Sequence, residues 1–312
     1  MRTTAAMLSK PGHISLADLA LRDPAEGEVV VEIDHAAIST GTEKLLWDGA
    51  MPQFPGMGYP LVPGYEAVGC VVDAGAGATC RNGDRVFVPG AHCFPDARSL
   101  FGANARHLVV KADRLVDNSA MGDERGVLLA LAATAHHALA ARDARAPELI
   151  VGHGTLGRLL TRIAIARGMA SPVVWEKDPA RRAGRFDYCV TDAESDERRD
   201  YAAIYDCSGD AALLPELIGR IARGGEIVLA GFYPGAVSFP FAPAFMREAR
   251  FRIAAEWAPA DMDAVLRLIA DGRLSLDGLI THHRPAREIA AAYPQAFEGP
   301  ACRKMVLDWG DA

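Results

Sequence analysis

The sequence lacks the marks of several function classes. Its longest apolar run, residues 127–141, is shorter than the roughly 20 residues needed to span a bilayer and carries His136 and His137, so no membrane span is expected. It has no basic excess: 33 Lys and Arg against 40 Asp and Glu leave a formal net charge of −7, which argues against a nucleic-acid partner. Residues 1–8 hold no apolar core followed by a cleavage site, so no export signal is expected. The six cysteines (Cys70, Cys80, Cys93, Cys189, Cys207 and Cys302) include no Cys-x-x-Cys pair. They read as reduced thiols of a cytoplasmic protein rather than a disulfide frame or zinc ribbon. No internal repeat or low-complexity tract is present. With half of its 312 residues apolar, the chain has material for two domains of about 100–200 residues each.

What is present falls into three stretches. Residues 1–118 are β-rich, with short β-branched runs at 28–33, 67–72, 85–89 and 107–116 set apart by Gly, Pro and Asp. Segment 51–64 is crowded with proline and glycine, which excludes a helix, weakens any strand and predicts an ordered loop or lid. A helical pattern follows over 123–141, with Asp123 and Glu124 favourable at its start. From 148 onward, strands at 149–152, 172–176, 202–207 and 226–231 alternate with helices at 155–167 and 211–222. Residues 177–188 are short and arginine-rich for a crossover helix. The alternation predicts parallel βαβ units. Segment 251–257, helices at 260–271 and 286–297, and a strand at 304–309 close the chain.

One motif carries chemistry on its own. Gly152-His153-Gly154-Thr155-Leu156-Gly157 follows an apolar strand and opens an amphipathic helix. Gly152 suits the tight turn, Gly154 admits a pyrophosphate close to the backbone, and Gly157 lets helix and strand pack closely. The helix N-terminus at Thr155 and Leu156 supplies N–H donors and positive potential. Nineteen residues after Gly157, Glu176 closes the next strand, placed to accept hydrogen bonds from both hydroxyls of an adenosine ribose. A carboxylate there repels a 2′-phosphate and favours NAD over NADP; Lys177, Arg181 and Arg182 pull the other way. Cys207 and Ser208 end one later strand, Gly231 and Phe232 the next, and ligands of open α/β sheets lie beyond such ends. The alternative is a glycine-rich turn that binds nothing.

Two further motifs bear a resemblance. Pro63-Gly64-Tyr65-Glu66-Ala67-Val68-Gly69 resembles the P-G-H-E-x-x-G of the medium-chain dehydrogenase/reductase family, and Asn82-Gly83-Asp84-Arg85-Val86 resembles its G-D-R-V. The resemblance runs over essentially the whole chain. It implies an α/β protein with a GroES-like β-rich catalytic domain at 1–122 and 258–312, and a Rossmann dinucleotide-binding domain at 123–257, the active site lying between them. It further implies that Thr134 lies near the nicotinamide and Arg303 near the cofactor's phosphates. A sheet edge such as 226–231 would extend across a homodimer.

The departures from the family pattern are informative. Zinc-bearing members use a Cys ahead of a G-[ST]-[DE] run, the His of P-G-H-E, and a Cys or Glu in the long helix region. Here Thr40 precedes Gly41-Thr42-Glu43, Tyr65 replaces the His, and the helix offers Ala130 and Leu131. Thr, Tyr and Ala do not supply a catalytic zinc site, so no metal is expected. Thr40 and Tyr65 would then face the reacting carbon, Lys44 would lower the pKa of a nearby hydroxyl, and Glu66 would orient Tyr65 or relay its proton. Glu66 reads equally as a structural carboxylate. His136 and His137 suit either a proton relay or a satisfied buried pair.

Segments 41–47, 54–66 and 254–257 are similar to those of family members that oxidise a ring-attached secondary alcohol of a hydrophobic tetrapyrrole to an acetyl group, NAD taking the hydride. Trp47, Met51, Phe54, Met57 and Tyr59 would supply an apolar, adaptable wall for a flat macrocycle, or else pack their loop onto its own domain. Two other readings stay open: a zinc-free, NADPH-linked quinone or enone reductase, and a dinucleotide-binding relative without catalysis.

Overall fold

The computed structural model describes residues 1–53, 55–299 and 301–310. The chain forms two compact units, Met1–Ala130 with Asp277–Ala312, and Leu131–Leu276.

The first unit is built from two sheets. In the larger, the strand Glu28–Ile38 is the spine: it pairs antiparallel with Ala67–Ala74, His107–Lys111 and the C-terminal strand Met305–Asp308. The chain's end thus returns to the middle of the N-terminal sheet. The smaller sheet runs His13–Ala20, Arg2–Lys10, Leu61–Pro63, Arg98–Leu100. Its first two strands form a hairpin turned at Pro11-Gly12, with Gly12 at φ 72°. Leu8, Val31, Ile33, Ile38, Leu46, Leu61 and Trp309 are sealed in the core. Each such side chain contributes about 1.5–3 kcal/mol.

Several strand expectations need adjusting here. Residues 107–116 form the strand His107–Lys111, then a 3-10 turn at Ala112–Arg114, because the backbone leaves the sheet after Lys111. The described residues of segment 51–60 form a loop, but Leu61–Pro63 forms a strand, its apolar side chains drawn into the core. Elements not anticipated in this unit include the N-terminal hairpin, the short strands Arg98–Leu100 and His282–Pro285, and a helix at Thr42–Asp48 whose end is closed by Gly49 at φ 70°.

The second unit holds six parallel strands in the order Val190–Thr191, Val173–Trp175, Leu149–Val151, Tyr201–Asp206, Ile221–Leu229, Arg250–Ile253. Numbered along the chain that is 3-2-1-4-5-6, the doubly wound dinucleotide-binding order. Leu149, Ile150 and Val151 are all buried, as a strand covered on both faces requires. The helix Thr155–Ala166 buries Leu159, Leu160, Ile163 and Ala164. The shortened crossover is a single turn, Pro179–Arg182, capped by Asp178. Residues 226–231 are not a sheet edge: the strand Ile221–Leu229 lies between two others, and the edge is Arg250–Ile253. His136 and His137, on the helix Leu129–Ala140, each place Nδ1 2.8 Å from a different oxygen of Asp261, in the first turn of the helix Pro259–Ala270. That shared carboxylate ties the later helix into this unit. No described helix is long and apolar enough to cross a membrane.

Candidate active site

In the second unit the nucleotide motif sits where the strand order reverses. Gly152 takes φ 97°, a left-handed conformation that favours glycine, while a Cβ there would make only ordinary contact with the Cys207–Ser208 backbone. Its N–H bonds to the Trp175 carbonyl, and that of Cys207 to Val151, so three strand ends are drawn together. At Gly157 a Cβ would lie 1.9 Å from the Gly152 carbonyl oxygen, so only glycine allows the helix to start this close to the strand. Gly154 has open space around it. A phosphate can approach the backbone there, at the helix start that also bears Thr155 and Leu156.

Glu176 is buried, and its carboxylate bridges the motif to the next turn. Oε2 accepts from the His153 N–H at 3.1 Å and Oε1 from the Asp178 N–H at 3.0 Å. Each oxygen keeps a further acceptor position. Lys177, beside it, is exposed. Arg182 is engaged by the carbonyls of Glu176 and Lys177 and by Asp192. Buried Asp206 accepts from the Ser208 N–H and hydroxyl and from the Tyr233 hydroxyl, fixing the Cys207–Ser208 turn. Burial, with Asp206 adding, pushes the Cys207 thiol up, so it is a neutral wall rather than a nucleophile. Gly231 packs against Gly209, Phe232 is 44% exposed, and Thr134 is half-buried. These residues fit a dinucleotide.

In the first unit the half-buried Tyr65 is the centre of a hydroxyl cluster. Its oxygen is 2.6 Å from Ser39 Oγ and 3.4 Å from Thr42 Oγ1. Burial, then the nearby Glu66 charge, raises its pKa well above the ordinary phenol range. The sequence pointed to Thr40; the hydroxyls that meet Tyr65 come from Ser39 and Thr42 on either side of it. Glu66 is fully buried, and its Oε2 accepts from Lys304 Nζ at 2.6 Å rather than from Tyr65. Lys44 reaches Asp48 one turn along its helix, on an exposed face. Glu43, which sequence reasoning did not select, is 1% exposed, accepts from the Ser39 N–H and shares a hydrogen bond with the Tyr293 hydroxyl. Thr42 and Glu43 stand within the Gly41-Thr42-Glu43 run, so that run was the available signal; Tyr293, 250 residues from Glu43, had none.

The described macrocycle candidates, Trp47, Met51, Met57 and Tyr59, all belong to or pack on the core of the first unit. Trp47 packs on the Tyr293 and Phe297 rings at 6.0 and 6.3 Å between centroids. Met51 is buried in the core, and Met57 and Tyr59 lie half-buried against it. The Tyr59 hydroxyl donates to the Leu46 carbonyl. Phe54 lies outside the described residues. Arg303, in this unit, donates to the Gly278 carbonyl.

The donor set does not fit zinc. Among the described residues no three His, Cys, Asp or Glu side chains gather around a common point, and Tyr65 presents its hydroxyl to two other hydroxyls.

Residues 25–120 match the alcohol dehydrogenase GroES-like domain, and the chain belongs to the medium-chain dehydrogenase/reductase family. Among its relatives, the 2-desacetyl-2-hydroxyethyl bacteriochlorophyllide A dehydrogenase of Rhodobacter capsulatus is 57% identical over 314 residues, covering 100% of both chains. The protein of the same name from Cereibacter sphaeroides is 58% identical, covering 99% of each. The acetophenone reductase of Geotrichum candidum, solved in complex with NAD, shares the fold, with a TM-score of 0.84 at 18% identity over 100% of this chain and 98% of that one. The GroES-like and Rossmann expectation is thereby borne out.

Proposed function

We propose that this protein oxidises the 3-(1-hydroxyethyl) group of a bacteriochlorophyllide to 3-acetyl in bacteriochlorophyll a synthesis, with NAD as acceptor and without zinc. The observation that carries the reading is the Tyr65–Ser39–Thr42 hydroxyl cluster, standing where family members hold metal, in a chain whose full-length relatives are named for hydroxyethyl-pigment oxidation. A bound NAD would supply the hydride acceptor for the alcohol carbon, which leaves the hydroxyl proton to the protein. Tyr65 is the group assigned to that proton, with Ser39 and Thr42 orienting it and Thr40 beside them. Glu66 holds the frame under Tyr65 through Lys304, and Lys44 serves its helix surface.

On this reading Gly152, Gly154, Thr155, Leu156 and Gly157 hold the pyrophosphate and Glu176 the ribose. Thr134, Cys207, Ser208, Gly231 and Phe232 line the nicotinamide side, and Arg303 serves a phosphate. Trp47, Met57, Tyr59 and Phe54 receive the macrocycle, Met51 supporting them from the core. Lys177, exposed beside Glu176, is what supports the competing NADPH-linked reductase. The reaction is assigned to the cytoplasm, in keeping with six free cysteines. A homodimer is assigned to the edge strand Arg250–Ile253, whose Ile253 is 76% exposed, with Phe241, Phe245 and Met246 on the preceding helix 66–74% exposed.

The test is to incubate the purified protein with a hydroxyethyl-bearing bacteriochlorophyllide and NAD⁺ or NADP⁺, following pigment absorption and assaying bound metal. An absorption shift driven by NAD⁺ in metal-free protein is expected. Turnover with NADP⁺ alone, a stoichiometric zinc requirement, or tight binding without conversion would overturn the reading.

A further inference from the structure

A buried acid that the reaction above does not use lies beneath Tyr65. Glu43 Oε1 accepts from the Ser39 backbone N–H at 3.1 Å, and the Ser39 hydroxyl is the group 2.6 Å from the Tyr65 oxygen. Glu43 Oε2 meets the Tyr293 hydroxyl, which in turn lies 3.5 Å from Asn104 Nδ2. The groups that face Glu43 come from several elements: Tyr65 and Glu66 after the strand Leu61–Pro63, Lys304 ahead of Met305–Asp308, and Tyr293 on the helix Ile289–Phe297. Lys304 is in contact with Glu66, whereas the hydrogen-bond partners of Glu43 are neutral.

Two carboxyls therefore share one ammonium in a volume closed to water. Ionising both leaves a net negative charge there, which costs more than keeping one proton. The hydrogen bonds identify where that proton sits. Asn104 Oδ1 is buried with no partner among the described residues. With the Asn104 amide turned end for end, Tyr293 donates to Oδ1 and accepts from a neutral Glu43. The Tyr293 hydroxyl then has both a donor and an acceptor partner, and the Asn104 nitrogen takes the position that Oδ1 leaves.

We infer that Glu43 is a positioning residue of the reaction: it fixes Ser39 beneath the Tyr65 hydroxyl, and the proton it holds keeps that hydroxyl acidic enough to act as base. Burial lifts the Glu43 carboxyl to about 7, against the opposing bonds from Tyr293 and Ser39. Once ionised, Glu43 adds to burial and Glu66 in raising the Tyr65 pKa and makes the phenolate harder to form. Proton loss at Glu43 thus slows alcohol oxidation from its own side of the site. The inference rests on Tyr65 handling the substrate proton.

The variant that isolates it is Glu43→Gln, which keeps an acceptor for Ser39 and a donor for Tyr293. In the wild type, log kcat/KM for oxidation against pH is expected to bend downward near neutrality. In Glu43→Gln the bend is absent, and above it the variant lies about threefold to tenfold higher relative to its acid limb, a tenfold change being one pKa unit. An infrared carbonyl band of a protonated carboxyl, titrating across neutral pH in the wild type and missing from Glu43→Gln, is the readout that needs no turnover. Superimposable profiles, or no such band in the wild type at mildly acidic pH, overturn the inference. Tyr65→Phe separates the two claims: full turnover in that variant sinks the base assignment, whereas a dead Tyr65→Phe beside a Glu43→Gln identical to wild type sinks only the role of Glu43.

Discussion

The Lys304 ammonium lies 2.6 Å from the Glu66 carboxylate, with side-chain exposures of 1% and 0%. Glu66 stands at the head of one core strand and Lys304 at the head of the C-terminal strand, so the pair fixes the chain's return against the Tyr65 turn. Burial raises the Glu66 carboxyl while Lys304 pulls it back down. Glu66 Oε1 has no partner among the described residues, so Lys304 is the principal compensation for that charge. Removing one partner leaves the other charged and dry. Lys304→Met should therefore cost about 3–5 kcal/mol in denaturant unfolding, and Glu66→Leu with Lys304→Met clearly less than the two singles summed. Strict additivity would show that the pair is not coupled.

Tyr65→Phe tests the proton assignment most directly. The variant keeps the ring, including its edge-on contact with Phe101 at 5.5 Å, and loses only the oxygen shared with Ser39 and Thr42. Turnover should fall by about 10²–10⁴-fold, the usual worth of a positioned acid or base. Dinucleotide affinity, measured by fluorescence quenching, should not change, because the residues assigned to it, Arg303 apart, belong to the other unit. An equal loss in both would point to misfolding rather than lost chemistry.

The glycine motif separates architecture from binding. Gly157→Ala sets a Cβ 1.9 Å from a backbone oxygen, which no rotamer relieves. It should lower the melting temperature and abolish dinucleotide binding together. Gly154→Ala meets nothing within 4 Å in the folded chain. It should fold normally yet bind NAD more weakly, since the added methyl occupies space a pyrophosphate needs. Calorimetry on both variants gives stability and affinity, and intact binding in Gly154→Ala would remove that glycine from the cofactor contact.

How much of this was legible follows from how local each feature is. Residues 149–176 carry strand, tight turn, helix, strand and acid in one stretch, so sequence patterning reached all of them. The Tyr65 cluster was half legible. Tyr65 stood out as a replacement in a motif, but its partners depend on how the turn before the helix Thr42–Asp48 presents Ser39 and Thr42, which alternate around Thr40. Lys304 and Tyr293 meet Glu66 and Glu43 only because the C-terminal strand crosses back to Glu28–Ile38. Spacing along the chain carries no trace of that. The N-terminal hairpin escaped because its pattern of buried residues is irregular, with adjacent Ala5 and Ala6 both sealed and Leu8 followed by a register shift.

The sheet edge bears on assembly. Arg250–Ile253 is paired on one side by Ile221–Leu229, and its last residue, Ile253, is 76% exposed. An open strand edge next to apolar side chains pairs readily with another copy. Light scattering should report a dimer, and Ile253→Glu, which puts a charge where the assigned interface would bury an apolar side chain, should shift it toward monomer. A wild-type monomer at micromolar concentration would rule the assignment out.

Acid stability provides the last check, through Arg22 and Glu28. The Arg22 guanidinium grips both oxygens of the nearly buried Glu28 carboxylate, at 2.6 Å for Nη2 to Oε1, and the Ala25 N–H adds a third bond at 2.9 Å. The Arg22 bond leads in holding the Glu28 pKa down, from 4.5 to about 2, against the opposing pull of burial. A carboxyl whose folded pKa is depressed contributes its full stability above the unfolded value. That stability drains away as pH falls from about 4.5 toward 2, where the folded form is protonated as well. Glu28→Gln should therefore cost about 1–3 kcal/mol at neutral pH, the worth of hydrogen bonds to a charged group, and progressively less below pH 4. Other carboxyls titrate over the same range, so the quantity to follow is the difference between wild type and variant in urea unfolding at matched pH. A difference that stays constant down to acid pH would mean that Arg22 does not set the Glu28 charge, and the anchoring of the loop before the spine strand would then rest on the backbone bonds alone.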